Sequence, residues 1–383
     1  MKKIIMVKRG LFLCMLFLFG CENKPKTYTA IDLSAFADVI KHWNDRTGGK
    51  GDQHYSPAQI VEIGDNLLAY QRSNGGWPTN VNPIRILPAE ELQRVLSEKD
   101  TLDTSFDNRN TYPQIEYLAQ VYQQTNLPRF KEAVLHGIEF VVNSQYENGG
   151  WAHSPPSTNG YRAHITFMDE VMPGVLDFLR KVDAGKAPFD FIDNEMRQHA
   201  AAVIEKGDAL ILALQIKIDG KPTVWAGQYD RQTLEPVQAR SYELPALVSW
   251  ESVAVVRYLM SIEQPSDEII AAVENAVAWF QSAAIHGIRV EQIPVEPIKF
   301  RYYTSTYDLK VVQDKDAPVI WARFYDLQTN TPIFARRDGR RVSTLSEVDR
   351  ERRTGYDWYG DWPKELLEKD YPAWKERMRF GTK

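Results

Sequence analysis

Apolar side chains recur at helical spacing through most of the chain. Ile60, Ile63 and Leu67 form the first such stripe, and Pro57 ahead of it suits the first turn of a helix. Gly, Pro or polar clusters separate this stripe from similar ones at 113–124, 129–143, 165–181, 194–215, 244–262 and 268–284. The pattern predicts a mainly α fold, a single domain of paired helices with long loops. Short β-like stretches are limited to late positions, 319–321 and 332–334.

One segment occurs twice. Gln-Arg-Ser-Asn-Gly-Gly-Trp-Pro at 71–78 is echoed by Gln-Tyr-Glu-Asn-Gly-Gly-Trp at 145–151, each directly after a helical stripe. A Gly pair just past a helix suits a left-handed C-terminal cap, and the adjacent Trp could pack on the helix end. The repeat also fits a toroid of helix pairs whose loops converge on one face, where Trp77 and Trp151 would stack on a sugar ring. The residues alone leave both interpretations open.

The N-terminus has the features of an export signal. An apolar run, Leu11–Phe19, is too short to span a bilayer and follows four cations, Lys2, Lys3, Lys8 and Arg9. Leu18–Cys21 resembles a bacterial lipobox, in which Cys21 would be acylated. We predict a signal peptide at 1–20, a lipidated tether and N-terminal segment at 21–45, and the main domain at 46–383. The protein would be an exported lipoprotein of the periplasm or cell surface; a plain secretory signal with a chance Cys is the alternative.

Composition narrows the class of protein. The chain has 383 residues, 43% of them hydrophobic and 25% charged, which indicates a globular protein. The net charge of −5 becomes −9 once the four signal-peptide cations are removed, and this acidity argues against nucleic acid as a partner. The two cysteines, Cys14 and Cys21, both precede the main domain. Disulfides, zinc thiolates and cysteine nucleophiles are therefore excluded from it.

Two polar clusters carry candidate metal ligands. The segment 104–111 places Asp107 and Asn108 directly before a helical stripe, where one of them could cap the helix. Asp169 and Glu170 interrupt an otherwise apolar stripe, and could simply point to solvent. Carboxylate oxygens also suit calcium, and with no EF-hand loop in the sequence a calcium site would have to combine these distant segments.

Three arginines stand among aromatic and apolar neighbours. Arg240 precedes Ser-Tyr-Glu, Arg323 lies in Trp-Ala-Arg-Phe-Tyr, and Arg337 follows Pro-Ile-Phe-Ala-Arg. Each could be a buried ion-pair partner. Together, beside candidate calcium ligands, they favour a polyanionic ligand, because the guanidinium fork binds carboxylates through two hydrogen bonds.

These motifs, taken in order, resemble the pectate lyases of polysaccharide lyase family 10. The set comprises Asn-Gly-Gly-Trp-Pro, Phe-Asp-Asn, His-Ile-Thr-Phe-x-Asp, Gln-x-Asp-x-x-Thr-Leu-x-Pro, Ala-Arg-x-Tyr-Glu, Trp-Ala-Arg-Phe-Tyr, Pro-Ile-Phe and Arg-Asp-Gly. The match runs from Ser56 to Trp362. It implies an (α/α) toroid-like catalytic domain and calcium-assisted β-elimination of polygalacturonate, giving unsaturated oligogalacturonides. We expect a monomer that uses Ca²⁺.

The resemblance also implies roles for particular residues. Asp107 would be catalytic and a metal ligand, with Asp169 and Glu170 as further ligands. Arg323 and Arg337 would bind substrate carboxylates. From their own motifs, and not from the resemblance, we add as substrate-binding residues Asn108, Trp77 and Trp151. Arg240 would be the base, although an arginine is normally protonated. From the residues alone, Arg240 could equally be a substrate clamp, with an unidentified group taking the proton.

The chain departs from the family pattern at one predicted ligand cluster. Where the family commonly has Asn-Asp-Asp, this chain has Met-Asp-Glu at 168–170. This departure bears on the geometry of the calcium site more than on the fold or the chemistry. Other functions also stay open. The chain could be a non-catalytic uronide-binding lipoprotein, a hydrolase of unsaturated uronides, or a helical scaffold for protein partners. The hydrolase would need a suitably spaced carboxylate pair.

Overall fold

A computed structural model describes residues 27–48, 52–301 and 303–380. Most of its helices follow the predicted stripes. In chain order they are α1 Ala37–Thr47, α2 Ile60–Tyr70, α3 Ala89–Ser97, α4 Tyr112–Thr125, α5 Pro128–Asn143, α6 Val171–Ala184, α7 Asn194–Ala213, α8 Ser249–Ser261, α9 Asp267–Ser282, α10 Arg350–Thr354, α11 Pro363–Glu365 and α12 Tyr371–Phe380. A π-helical turn at Leu366–Asp370 joins α11 to α12, and short 3₁₀ helices lie at Ser34–Phe36, Gly160–Ala163, Met168–Glu170 and Leu345–Glu347.

Most strands are only two residues long. They are β1 Ile165–Thr166, β2 Lys217–Ile218, β3 Lys221–Pro222, β4 Gln228–Tyr229, β5 Leu247–Val248, β6 Ile288–Lys299, β7 Thr304–Gln313, β8 Trp321–Ala322, β9 Phe324–Tyr325, β10 Phe334–Ala335, β11 Arg341–Val342 and β12 Tyr359–Gly360. The exceptions, β6 and β7, form a long antiparallel hairpin with an irregularity between Pro294 and Ile298. The helical spacing of apolar residues in the sequence did not predict this hairpin.

The helices form a two-layered arc. Helix pairs α4–α5, α6–α7 and α8–α9 pack side by side, so that α4, α6 and α8 form an inner row. Helices α2, α5, α7 and α9 form the outer row. This arrangement confirms the prediction of an (α/α) toroid-like fold with little β structure. Because the chain alternates between rows, the three inner helices start at the same end of the toroid.

The doubled tryptophan segment is one part of a fourfold repeat. Each outer helix is followed by a Trp whose indole N–H donates to a carbonyl in the last turn of that helix, at 2.8–2.9 Å. The pairs are Trp77 with Leu67, Trp151 with Val141, Trp225 with Ile211 and Trp321 with Phe280. The same bond therefore fastens all four turns, although only the first two share a recognisable Asn-Gly-Gly-Trp sequence.

Two glycines make this packing possible in the first two turns. Gly75 has φ +95°, and a Cβ there would lie 2.3 Å from the carbonyl oxygen of His136 on the next outer helix. Gly149 has φ +97° and would meet the carbonyl oxygen of Lys206 at the same distance. Both positions require a residue without a side chain, because a left-handed backbone and a close helix contact coincide.

A smaller apolar cluster covers the end of the toroid at which the inner helices start. We call it the upper layer; its buried members are Met168, Tyr242, Ala246, Val248, Phe324, Ile333, Phe334, Ala335, Leu345, Val348 and Trp358. Strand β1 pairs with β4 and β5 pairs with β9, and these pairs tie the upper layer to the segments that lead into α6 and α8. The short strands thereby fix where the inner helices begin.

The signal peptide, with Cys14, and residues 21–26 of the predicted tether and N-terminal segment, with Cys21, lie outside the described residues. From residue 27 onward, the N-terminal segment packs against the helices, with Ile31, Phe36 and Val39 buried in the main core. Across the described ranges, no helix is long and apolar enough to cross a membrane.

Candidate active site

A cleft of about 730 Å³ lies between the upper layer and the starts of the inner helices. It brings together most of the predicted site residues, which were far apart in sequence: Asp107, Asn108, Asp169, Glu170, Arg240 and Arg323. A second cavity of about 530 Å³ continues along the inner helices, and both are lined by Arg109, Glu170 and Trp250. The positive ends of the α4, α6 and α8 dipoles therefore point toward a shared site, which favours anions.

The two acidic loops have unusual backbones. Asn108 and Arg109 both have positive φ, 56° and 52°, and so do Asp169 and Glu170, 52° and 62°. Consecutive left-handed residues other than glycine are rare and strained, and such strain concentrates at functional sites. The strained pair at 169–170 also explains why α6 starts at Val171, six residues later than the predicted stripe.

Asp107 and Asp169 are electrostatically coupled. The imidazole of His153 lies 3.2 Å from Oδ1 of Asp107, and with Arg240 it holds the pKa of Asp107 well below its usual range, although burial opposes this. Burial and the neighbouring Asp107 raise the pKa of Asp169 well above its ordinary value. Two adjacent carboxylates cannot both ionise cheaply, so the pair holds a proton or needs a cation.

Glu170 has a different partner. Its carboxylate accepts two hydrogen bonds from Arg109, from Nε at 2.9 Å and from Nη2 at 2.6 Å. Over the described ranges, no group of three His, Cys, Asp or Glu side chains is placed to hold a metal ion. Arg109 thus binds Glu170, and Asp107 and Asp169 form an acidic pair without it; the role of Glu170 as a metal ligand stays a prediction.

Arg240 lies beside this pair. Its Nη2 is 4.0 Å from Oδ2 of Asp107, and its Nη1 is 3.3 Å from Oε1 of Glu243. Glu243 also accepts a hydrogen bond from the hydroxyl of Tyr356 at 2.9 Å. Although burial works against it, the charges of Glu243, Asp107 and Asp169 raise the pKa of Arg240 well above its ordinary value. In the free protein, Arg240 is firmly protonated.

Arg323 is buried and held on three sides. Its guanidinium lies 4.5 Å from the ring centroids of both Trp250 and Tyr356, and its Nε donates to Oε1 of Glu251 at 3.0 Å. The second carboxylate oxygen of Glu251, Oε2, is buried without a hydrogen-bond partner. The two neighbouring rings and the acidic partner fix the guanidinium in one orientation, as recognition of a planar carboxylate requires.

Two predicted tryptophans are not at a surface. Trp77 and Trp151 are both 0% exposed, and their rings pack on helix ends. The prediction that they stack on a sugar is wrong; the alternative, a structural role, is what the fold shows. Arg337 is exposed and lies beside the cleft, its guanidinium 5.5 Å from the ring centroid of Tyr242, which lines it.

Sequence reasoning missed several residues that line the cleft. Trp250 and Glu251 lie at the start of α8, and the sequence indicated only that they belong to a helix. Tyr242 lies in the Ala-Arg-x-Tyr-Glu motif, but no role was predicted for it. Arg352 lies in no sequence motif, yet it is buried, with its guanidinium 4.9 Å from the ring centroid of Tyr242. In each case alternating charged and aromatic residues were the available signal.

The arrangement suits chemistry on a carboxylated substrate. The close acidic pair can hold a cation, whereas Arg240 and Arg323 present fixed positive groups nearby. Both arginines already contact carboxylates of the protein, Glu243 and Glu251. A substrate carboxylate would therefore compete for charges that are positioned before it arrives.

Comparisons with known proteins identify the family of the chain. No curated protein sequence matches the chain. Among solved structures, the family 10 polysaccharide lyase from Cellvibrio cellulosa is similar at 29% identity and a TM-score of 0.68, over 90% of this chain and 98% of that one. A mutant of that enzyme in complex with trigalacturonic acid is 28% identical, with a TM-score of 0.68, over 90% and 99%. The family model for pectic acid lyase matches residues 71–367. The chain therefore belongs to the pectic acid lyase family and is a polysaccharide lyase.

Proposed function

We propose that the protein is a calcium-dependent pectate lyase that cleaves polygalacturonate by β-elimination to unsaturated oligogalacturonides. The observation that carries this is the single cleft in which the Asp107–Asp169 pair lies beside Arg240 and Arg323. The similar Cellvibrio structure with trigalacturonic acid supports an oligogalacturonate substrate.

Calcium fits the donor set that the chain offers. Asp107 and Asp169 supply hard carboxylate oxygens, and burial together with the neighbouring Asp107 raises the pKa of Asp169, an environment in which a cation would be favourable. Oδ1 of Asp107 is buried, with the imidazole of His153 3.2 Å away. When bound, calcium would neutralise the galacturonate carboxylate and so stabilise the enolate-like charge of the transition state. Two protein carboxylates leave its other ligand positions to substrate and water.

Arg240 is placed to act at the proton. In β-elimination the C5 proton leaves, its electron pair forms the C4–C5 double bond, and the C4–oxygen bond breaks toward the leaving sugar. Asp107, Asp169 and Glu243 hold Arg240 protonated in the free protein. Neutralisation of the acidic pair would lower the pKa of Arg240, so that Arg240 could release its own proton to solvent and then accept the C5 proton as a neutral guanidine.

Arg323 is placed to hold substrate. Trp250 and Tyr356 both lie 4.5 Å from its guanidinium and hold it at the cleft wall, where it could meet a galacturonate carboxylate. Asn108 would add a polar contact at the same wall; its Nδ2 donates to Oδ1 of Asn80 at 2.8 Å. Arg337 would contact a carboxylate at the rim, beside Tyr242.

The function is tested by incubating the purified protein with polygalacturonate and following ultraviolet absorbance of the unsaturated product. We expect the absorbance to rise when calcium is present and to stay constant when a chelator is present. Release of reducing sugar without absorbance would indicate a hydrolase. Binding without any product would indicate a non-catalytic uronide-binding protein.

We further propose that the protein is a monomer anchored to a bacterial membrane through acylated Cys21. The basic N-terminus, the short apolar run and Leu-Phe-Gly-Cys support this. Metabolic labelling with palmitate should mark the wild type and not Cys21→Ser, and the unlabelled variant should leave the membrane fraction. Equal labelling of both would exclude Cys21 as the anchor.

A further inference from the structure

The N-terminal helix α1 forms one wall of the cleft, although it precedes the region that the family model matches. Five of its side chains line the cleft: Asp38, Lys41, His42, Asp45 and Arg46. Their spacing of three to four residues places them on a single face of the helix.

Helix α1 is fixed in place at both ends. Phe36, directly before it, is buried with its ring centroid 5.4 Å from that of Tyr117. Oδ2 of Asp38 lies 3.3 Å from Nη1 of Arg109, and near the other end Nη2 of Arg46 donates to the carbonyl oxygen of Asn80 at 3.2 Å. The charged face is therefore held against the cleft by contacts on other elements.

The cations of α1 differ from the arginines deeper in the cleft. Arg240 and Arg323 are paired with Glu243 and Glu251. Within the described part of the chain, Lys41 has no carboxylate partner, and Arg46 contacts only a backbone carbonyl. Both side chains are exposed. They are the positive charges of this cleft that an incoming anion can reach without displacing a protein carboxylate.

The acids on the same face balance these two cations in number, so the face of α1 carries no net charge. Asp38 is engaged by Arg109. Any attraction for an anion is therefore local to the Lys41 and Arg46 side chains, which have no carboxylate partner of their own in the described part of the chain. An extended polyanion bound through a cation at the acidic pair would extend past the α1 wall of the cleft.

We propose that Lys41 and Arg46 form a subsite for a galacturonate carboxylate next to the residue that reacts. This rests on the proposed function and adds to it a specificity element supplied by the N-terminal segment. The subsite recognises charge, so it discriminates free carboxylates from methyl esters. Since both groups are exposed, each contact is modest and the pair acts on binding rather than on the chemical step.

The double variant K41A/R46A tests this subsite. We expect its KM for polygalacturonate to rise about three- to tenfold with kcat unchanged, as two partly exposed charge contacts are lost. The charge-preserving variant K41R/R46K should keep most of the affinity. Lys206→Ala, an exposed lysine on outer helix α7, is the matched control and should behave as wild type. With highly methyl-esterified substrate, the double variant and wild type should not differ.

Equilibrium binding separates this proposal from the proposed function. We expect hexagalacturonic acid, titrated calorimetrically in calcium, to bind K41A/R46A three- to tenfold more weakly than wild type. Equal binding by the two proteins, or an equal loss with the esterified ligand, would overturn the subsite. If the wild type binds the hexamer but forms no unsaturated product, the lyase proposal falls while the subsite is still measured.

Discussion

Nη2 of Arg240 lies 4.0 Å from Oδ2 of Asp107, so that the group proposed to take the proton touches the pair proposed to hold calcium. Each influences the other: Arg240 lowers the pKa of Asp107, and Asp107 raises the pKa of Arg240. Any cation that enters between Asp107 and Asp169 would weaken the second effect. The proton acceptor and the metal site are thus one electrostatic unit.

Replacement of Arg240 should abolish the lyase reaction. We expect Arg240→Ala to lose at least about 100-fold in kcat, because a preorganised charge at the developing anion and the proton acceptor are both removed. Formation of the ultraviolet-absorbing product measures this, and circular dichroism checks the fold. Arg240→Lys, which keeps a charge but alters its position, is the companion variant. Near-normal activity of Arg240→Ala would remove it from the site.

The acidic pair should govern calcium dependence. We expect Asp107→Asn and Asp169→Asn to raise the calcium concentration for half-maximal activity by about tenfold or more, since each removes a charged ligand. Glu170→Gln should change it little, because Arg109 binds that carboxylate. An equal shift in Glu170→Gln would place Glu170 in the ligand set.

Stability in chelator should fall as pH rises above the ordinary range of an aspartate. The folded-state pKa of Asp169 is raised, so between about pH 4, where an unfolded Asp ionises, and that raised pKa the folded protein holds a proton that the unfolded chain has released. Asp169→Asn should lose this slope and melt at a higher temperature than wild type at pH 7. Thermal melting from pH 4 to 8 measures it.

Two comparisons make this pH experiment specific. Asp219→Asn, at an exposed left-handed turn position, should keep the wild-type slope. Saturating calcium should flatten the slope of the wild type, because the cation replaces the proton. A slope that survives unchanged in Asp169→Asn would mean that another group carries it.

The buried tryptophans should affect stability and not substrate affinity. Trp77→Phe loses the indole hydrogen bond to Leu67, and we expect the free energy of unfolding to fall by about 1–3 kcal/mol with KM unchanged. Urea denaturation and steady-state kinetics measure the two quantities. Trp250→Leu, on the cleft wall beside Arg323, should instead raise KM. A raised KM in Trp77→Phe would revive the sugar-stacking role.

The sequence predicted the helices well because their stripes reflect packing between two rows. It also predicted that Asp107, Asp169, Arg240 and Arg323 share a site, through ordered motifs. The hairpin β6–β7 was missed because two prolines, at 294 and 297, argue against a strand; the strand accommodates them beside an irregularity in pairing.

Other features needed the coordinates. Glu170 reads as a ligand beside Asp169, yet a left-handed backbone at both residues turns its carboxylate toward Arg109. The sequence around Trp77 fits a surface residue that stacks on a sugar as well as a residue that packs on a helix end. Its indole hydrogen bond in the structure distinguishes the two roles. No sequence motif includes the α1 residues that line the cleft. Their charges matter to the site only because the fold places them beside it.

The ion pairs of Arg240 and Arg323 inside the cleft affect which polysaccharides the protein can bind. A neutral polysaccharide brings only hydroxyl groups, which cannot outcompete Glu243 or Glu251 for a guanidinium. Only a ligand with its own carboxylates can exchange with them and keep each arginine satisfied. The internal ion pairs thus make binding selective: uncharged cell-wall polysaccharides would not bind, even where their shape fits the cleft.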